Sequence, residues 1–138
     1  MFETFEHKAD VGVRGLGKTR EEAFEETAKA MFSIMCDLKK VKQKKEVDFV
    51  VMSSDLEALL VEFLNELLYH KDTKETMFSS FKIKISETGN DYKLECKAKG
   101  EKTSENQGLK TEVKAASYSQ LKVSEEKEKW LAQCIVDV

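Results

Sequence analysis

The residues best suited to chemistry lie at the two ends of the chain. Near the start, the stretch from Glu6 to Asp10 packs one histidine, His7, and two carboxylates into five positions. An apolar run follows directly and predicts an early strand, which places Asp10 at an element boundary, where functional residues are common. A second aspartate, Asp137, lies in the closing apolar segment beside Val138 and its terminal carboxylate.

Asp10 and Asp137 would form a carboxylate site if the first and last strands lay side by side. Carboxylates, backbone oxygens and water are hard ligands, which suit calcium or magnesium. An aspartate before a strand is nevertheless more often a turn residue than a ligand, so two solvated acids at strand ends are the simpler interpretation of the spacing. Other chemistry has less support, because the sequence contains no phosphate-binding loop, no H-E-x-x-H motif and only two histidines.

The composition is that of an ordinary globular protein, neither a basic nucleic-acid binder nor a disordered tail. Charged residues make up 36% of the 138 residues, apolar residues 41%, and the formal net charge is -3, which fits a single domain over residues 1–138. Arginine occurs only at Arg14 and Arg20, which excludes bidentate phosphate recognition by several arginines and argues against autonomous RNA readout. With no signal peptide and no apolar run of about 18 residues, a cytoplasmic protein without a membrane span is expected.

The three cysteines, Cys36, Cys96 and Cys134, are widely separated and form no C-x-x-C pair. An odd number of isolated cysteines predicts neither a zinc site nor a disulfide framework. We expect reduced and mostly buried thiols, as is usual for cytoplasmic proteins.

Two segments have the pattern of amphipathic helices. Thr19-Arg20-Glu21-Glu22 is a capping box, and a helix is expected from there to about Met35 or Asp37. A second capping box, Ser54-Asp55-Leu56-Glu57, opens a stronger helix. Its apolar stripe recurs at helical spacing and consists of Leu56, Leu59, Leu60, Phe63, Leu64, Leu67 and Leu68. The opposite face, predicted to be solvated, carries Glu57, Glu62, Asn65 and Glu66.

Alternating apolar and polar residues predict six or seven strands around these helices. The segments are Phe2–Phe5, Val11–Leu16, Val47–Met52, Phe81–Ile85, Leu94–Ala98, Val113–Val123 and Trp130–Val138. The segment 113–123 is partly apolar on both faces, so a central position is expected for it. Because hairpins join several strands and no regular strand–helix alternation exists, the expected fold class is α+β, with two principal helices packed on a largely antiparallel or mixed β-sheet in a single domain.

The one concentrated charge run is the segment 39–45, Lys39-Lys40-Val41-Lys42-Gln43-Lys44-Lys45. One interpretation is that it contacts RNA or an acidic partner surface. A solvated loop or the exposed start of a strand is the commoner structure for such a run, and the sequence alone favours that interpretation.

Six blocks of the sequence, in this order, resemble the archease family. They are His7–Val13, Gly17–Phe24, Leu60–Tyr69, Gly100-Glu101, Thr111–Ala116 and Gln133–Val138. Each block is short, but together they are specific and span nearly the whole chain. Archeases are small accessory proteins of the GTP-dependent tRNA-splicing RNA ligase, so the resemblance implies a protein cofactor rather than an enzyme.

The resemblance implies that this cofactor promotes guanylylation of the active-site histidine of the ligase, supports multiple turnover and loosens nucleotide choice. The ligase joins 3′-phosphate or cyclic-phosphate RNA ends to 5′-hydroxyl ends, as in tRNA maturation, so tRNA is an indirect partner. The metal site of the family maps onto Asp10 and Asp137, with Val138 as the terminal ligand. Calcium is the ion implied, and the ligand chemistry would also admit magnesium or manganese. The carboxylates could deliver metal to the ligase or organise the nucleotide phosphates.

Three positions depart from the family pattern. Lys8 replaces the threonine of a His-Thr-Ala-Asp motif, and it could either neutralise the carboxylates and weaken metal binding or point to solvent. Gln107 and Ser119 stand where the family often has histidines, so no general acid or base role carries over to them. The sequence specifies neither the oligomeric state nor the surface that meets the ligase, for which the segment 39–45 and the acidic face of the second helix are both candidates.

Three other functions stay open at this point. A metal-dependent hydrolase is disfavoured by the near absence of histidine and of an identifiable nucleophile. A chaperone-like modulator of an RNA-modifying methyltransferase is also suggested by the family. The third is a scaffold whose acids only stabilise the fold, which unchanged activity after Asp10→Ala would support.

Overall fold

A computed structural model describes residues 1–138. Its two helices are α1 (Arg20–Met35) and α2 (Leu56–Thr73), with short 3-10 turns at Leu38–Lys40 and Glu105–Gln107. Its seven strands are β1 (Phe2–His7), β2 (Asp10–Gly17), β3 (Lys45–Ser53), β4 (Thr76–Thr88), β5 (Asp91–Lys102), β6 (Ala115–Glu126) and β7 (Lys129–Asp137).

The strands form two sheets, in which all neighbouring strands run antiparallel. The first has the order β1-β2-β7-β6 and the second the order β3-β5-β4. The α+β class with two helices packed on antiparallel sheet is therefore confirmed. The division into two sheets is new, because the period of a strand specifies which of its faces is buried and leaves open which strand it pairs with.

The helices join the two sheets into one core. α1 packs on β2 and β7 of the first sheet and on β4 of the second, and α2 packs on β6 and β3. The leucine stripe predicted for α2 lies in this core, where Leu59, Leu60 and Leu64 are fully buried. Because burying each such side chain stabilises the fold by about 1.5–3 kcal/mol, the stripe of α2 is a principal anchor of both sheets. Neither helix is long and apolar enough to cross a membrane.

The N-cap residue of α1 is the one predicted from the sequence, whereas that of α2 lies one residue later than predicted. The side chain of Thr19 accepts a hydrogen bond from the backbone of Glu22 at 3.0 Å, as the capping box predicts. The expected cap Ser54 is wrong, since Asp55 is the N-cap residue of α2 and accepts from the backbone of Ala58 at 2.7 Å. Ser54 and Asp55 both precede the apolar run, and serine and aspartate are about equally good N-cap residues, so the sequence alone does not choose between them.

The central position expected for the segment 113–123 is wrong, because β6 is an edge strand. Its pairing with β7 shifts between Ser117, opposite Ile135, and Lys122, opposite Gln133, so the intervening residues bulge from the sheet. Its apolar residues pack instead against α2, which explains an apolar pattern in an edge strand.

Two further predictions agree with the structure. All three cysteines are free and buried, and burial raises the pKa of Cys36 to about 11 and those of Cys96 and Cys134 to about 12. Thiols with such pKa values are inert packing groups. The segment 39–45 is largely exposed and leads from the first 3-10 turn into β3.

Candidate functional site

The pairing of β2 with β7 brings the two predicted acids together. Asp10 is the first residue of β2 and Asp137 the last of β7, and their neighbours Val11 and Val136 are opposite each other in the antiparallel register. One further step of that register sets Asp10 beside Asp137, and residues in this relation have Cβ atoms about 4.5–5.5 Å apart. We call these two residues the carboxylate pair.

The carboxylate pair lies on the face of the first sheet that the helices leave open. Gly15 faces α1 so closely that an added Cβ would lie 2.1 Å from the carbonyl oxygen of Ala23. Side chains alternate along a strand, so Asp10, Gly12 and Arg14 point away from the helix. Asp137 shares this outer face with Asp10 because cross-strand neighbours point the same way.

Neither carboxylate of the pair is neutralised by another side chain. Asp10 and Asp137 are both half-buried, and neither side chain forms a salt bridge or hydrogen bond within the protein. The nearby Lys8 is exposed in the β1–β2 turn, with a left-handed φ of 55°, and it makes no salt bridge. Two like charges are thus held together with their oxygens free to accept a ligand.

His7 is a further polar group on the same face. It is the residue opposite Asp10 in the β1–β2 register, and its Nδ1 atom is buried with no hydrogen-bond partner. A buried nitrogen without a partner is costly, and a water molecule or a ligand would satisfy it. The sequence contains His7 and Asp10 at a spacing of three, but only the tight Lys8-Ala9 turn makes them neighbours.

On the outer face, beside the carboxylate pair, side-chain contacts of Phe5 and Arg14 join the three strands β1, β2 and β7. The ring of Phe5 occupies the space over Gly12, where an added Cβ would lie 2.1 Å from the phenyl ring. The guanidinium of Arg14 lies 4.7 Å from the centre of the same ring and donates to Glu3 at 2.6 Å and to Gln133 at 2.9 Å. These contacts join β1, β2 and β7, and so they maintain the register that sets the carboxylate pair.

Asn65 of α2 supports the other side of the pair and was predicted wrongly as a solvated residue. Its Oδ1 accepts from the backbone N–H of Ala116 at 2.8 Å, and its Nδ2 donates to the carbonyl of the same residue at 3.2 Å. This two-bond clasp holds the start of β6, where Ala115 lies opposite Asp137 and the backbone of Lys114 donates to the Asp137 carbonyl at 2.8 Å. Asn65 is therefore a positioning residue for the pair.

Gln107 and Ser119, which depart from the family pattern, lie in different surroundings: the first is buried and the second is exposed. Gln107 is fully buried, where its side chain donates to the Lys102 carbonyl at 2.9 Å and accepts from the Ser104 backbone at 3.0 Å. Ser119 is exposed in the bulge of β6, next to the exposed ring of Tyr118. Gln107 stabilises the 3-10 turn Glu105–Gln107. Neither a glutamine nor a serine side chain can replace histidine as a general acid or base.

The donor set fits a hard divalent cation in kind, although it is small. No three side chains among His, Cys, Asp and Glu converge closely enough to enclose a metal ion. Asp10 and Asp137 offer carboxylate oxygens, the donors that calcium and magnesium prefer, and Val138 follows directly with its side chain against the core. A cation held here would need water or a partner to complete its six to eight ligands.

Comparison with known proteins connects these features to a family. The chain matches the archease protein family (MTH1598/TM1083) over residues 2–138. It is 42% identical to the protein archease of Pyrococcus furiosus, over 100% of this chain and 99% of that protein. It is 43% identical to the protein archease of Thermococcus kodakarensis, over 99% of this chain and 98% of that protein.

Solved structures have the same fold. The solution structure of Methanobacterium thermoautotrophicum protein 1598 is similar with a TM-score of 0.88 at 36% identity, covering 99% of this chain and 98% of that one. A crystal structure from Thermotoga maritima, described as an archease and possible chaperone, is similar with a TM-score of 0.62 at 19% identity, covering 99% of this chain and 96% of that one. The second likeness concerns the fold alone.

Proposed function

This chain belongs to the archease family, and we propose that it is an accessory protein that activates a GTP-dependent tRNA-splicing RNA ligase. In this proposal the chain promotes metal-dependent guanylylation of the ligase with GTP and so supports multiple turnover. In this proposal the chain performs no group transfer itself, and the tRNA is the substrate of the ligase.

The observation that carries the proposal is the unneutralised carboxylate pair on an open sheet face. Asp10 and Asp137 have free carboxylate oxygens, and the three thiols of the chain are buried with raised pKa values. Such a site can bind a cation, and no reactive thiol is available to act as a nucleophile. This combination suits a protein that supports the chemistry of a partner.

We propose Asp10, Asp137 and the terminal carboxylate of Val138 as the metal ligands, with calcium as the ion and magnesium or manganese as alternatives. A divalent cation at this position would supply positive charge for the phosphates of the nucleotide. The protein contributes the placement: Asn65 and the Phe5–Arg14 contacts hold the strands, and the open face leaves room for a partner's ligands.

The test is guanylylation of the ligase with GTP, with and without this protein. Asp10→Asn and Asp137→Asn each remove one charge, and because neither carboxylate has a partner in the fold, both variants should stay folded. We expect wild type to stimulate and each variant to lose about tenfold or more, since even groups that only support metal ligands contribute about 10–100-fold. Calorimetric titration of the free chain with calcium should show the same loss.

Asp91→Asn is the matched control, because Asp91 is an exposed acid at the start of β5 with no side-chain partner. It should stimulate like wild type. Full stimulation by both pair variants would remove the carboxylate pair from the mechanism and favour the scaffold interpretation. No stimulation by wild type would reject ligase activation, and the modulator of a methyltransferase would be tested next by its effect on aggregation of that enzyme.

A further inference from the structure

A second charged site lies outside the carboxylate pair, in a groove between the ends of β3 and β5. The groove has a volume of about 780 Å³, and no hydrophobic residue lines it. Its walls contain five lysines, which are Lys40, Lys42, Lys44, Lys45 and Lys102, and the remaining lining residues are Glu101, Thr103, Ser104 and Asn106. We call this the lysine groove.

The charge of the lysine groove is poorly balanced by the protein itself. Its single acid, Glu101, is engaged by Lys44 at 3.5 Å and by the Gln107 side chain at 3.3 Å. These contacts, the hydrogen bond from Gln107 foremost, hold the pKa of Glu101 below its usual value. The other four lysines form no salt bridge. About four positive charges therefore face one concave surface, where the field of like charges is focused.

The backbone that carries these lysines is held firmly by hydrogen bonds. The backbone of Lys44 donates to the Gly100 carbonyl at 2.8 Å, and the Ser79 hydroxyl donates to the Val41 carbonyl at 3.0 Å. Gln107 is buried beneath the opposite wall and closes a capping box with Ser104. The groove is thus a preformed shape, and a ligand would not have to order the chain first.

The composition of the groove favours a phosphate backbone as its ligand. Protein–protein interfaces are enriched in aromatic residues, methionine and arginine at their centre and depleted in lysine, which is the reverse of this composition. Lysine is a point charge that suits phosphate oxygens without demanding a fixed geometry. No aromatic side chain lines the groove, so bases have no stacking platform there, and no arginine offers the planar fork that pairs bidentately with phosphate.

We propose that the lysine groove binds the sugar–phosphate backbone of an RNA strand without sequence preference. Binding is a property of the free chain and requires neither the carboxylate pair nor a ligase. The affinity comes from release of the counterions that surround the phosphates, so it falls steeply with salt. For four lysines on a single strand the affinity should fall about 50-fold between about 50 and 200 mM salt.

The experiment measures fluorescence anisotropy of a short labelled oligouridine titrated with the full chain at several salt concentrations. The variant carries Lys42→Ala and Lys102→Ala, from opposite walls of the groove. Because two phosphate contacts are lost, its affinity should fall only about 7-fold over the same salt range, and it should bind more weakly at low salt. Neither side chain makes a hydrogen bond or salt bridge, so the thermal unfolding temperature should not change.

The matched control carries Lys82→Ala and Lys84→Ala, two exposed lysines on β4 with no salt bridge, which change the net charge equally. It should bind like wild type. An equal loss in the control would show that net charge alone causes binding and would overturn the proposal. Tighter binding of labelled polyglutamate than of oligouridine would overturn it as well and would assign the groove to an acidic protein surface.

Discussion

The clasp between Asn65 and Ala116 predicts a large effect from a residue that touches no ligand. Asn65→Ala removes both hydrogen bonds and leaves the backbone N–H and C=O of Ala116 without partners. Ala116 is only 7% exposed, so water cannot replace the lost contacts easily. The start of β6 should loosen first, since an edge strand has only one neighbouring strand to hold it.

The size of the effect follows from the two bonds. An ordinary hydrogen bond contributes about 0.5–1.5 kcal/mol, and a buried group left unpaired costs about 1–3 kcal/mol. The clasp is part-buried, so we expect the free energy of unfolding to fall by about 2 kcal/mol. At a urea dependence of about 2 kcal/mol per M, this shifts the unfolding midpoint by about 1 M.

Equilibrium unfolding in urea, followed by circular dichroism, measures this shift. Glu62→Ala is the matched control, because Glu62 lies on α2 within one turn of Asn65 but is exposed and unbonded. It should change the free energy of unfolding by less than about 0.5 kcal/mol. Asn65→Ala should also weaken ligase stimulation at temperatures where the variant is folded, because the neighbour of Asp137 has lost its support.

Two outcomes would refute this reasoning. If Asn65→Ala and Glu62→Ala lost equal stability, the loss would not come from the clasp, because only Asn65 bonds to Ala116. If Asn65→Ala lost the expected stability but stimulated the ligase fully when folded, β6 would be dispensable for placing Asp137. The first result contradicts the energetic argument and the second contradicts the positioning argument.

Two further variants test other buried polar contacts. Glu25 accepts from the Ile83 backbone at 2.9 Å and its pKa is raised, chiefly by burial. Because the folded pKa is raised, the wild-type protein is least destabilised by Glu25 below about pH 4.5, and it loses stability as the pH rises through the folded pKa. In urea unfolding, the free energy of unfolding of Glu25→Gln relative to that of wild type should therefore increase from about pH 4.5 to about pH 7. Gln107→Ala should cost about 1–3 kcal/mol in urea unfolding, and proton titration by NMR should show the pKa of Glu101 rising.

The helices were the most predictable part of the fold. The leucine stripe of α2 and the cap at Thr19 are local patterns, and local patterns survive in any tertiary context that buries one face. The positions of the strands could also be predicted, but the sheet to which each strand belongs could not. The apolar pattern of the segment 113–123 predicted a central strand, because burial by a helix and burial by neighbouring strands produce the same pattern in the sequence.

The two acidic residues of the site could be predicted from the sequence, but the strand pairing and the side chains that position them could not. Asp10 and Asp137 were named from their positions and supported by the family resemblance, but whether their strands pair could not be decided from the sequence, because the two segments lie at opposite ends of the chain. Asn65 was placed with the solvated acids, because an asparagine on the polar face of a helix looks the same whether it meets water or a strand. His7 was noted in the sequence but was not placed opposite Asp10, since its turn lacks the glycine or asparagine that marks a two-residue hairpin.

The residue types limit what the chain can do alone and so favour an accessory role. Of the two arginines, Arg14 is bonded to Glu3 at 2.6 Å, and Arg20 makes only a longer surface contact with Glu87 at 3.9 Å. What remains accessible is a carboxylate pair suited to a cation and a lysine groove suited to phosphates. The roles proposed for these two sites, binding a cation and binding phosphates, are those of a protein that assists the chemistry of a partner. The segment 103–114 connects the two sites, and hydrogen bonds to α1 and β7 hold it in place, so the chain presents them to a partner at a fixed separation.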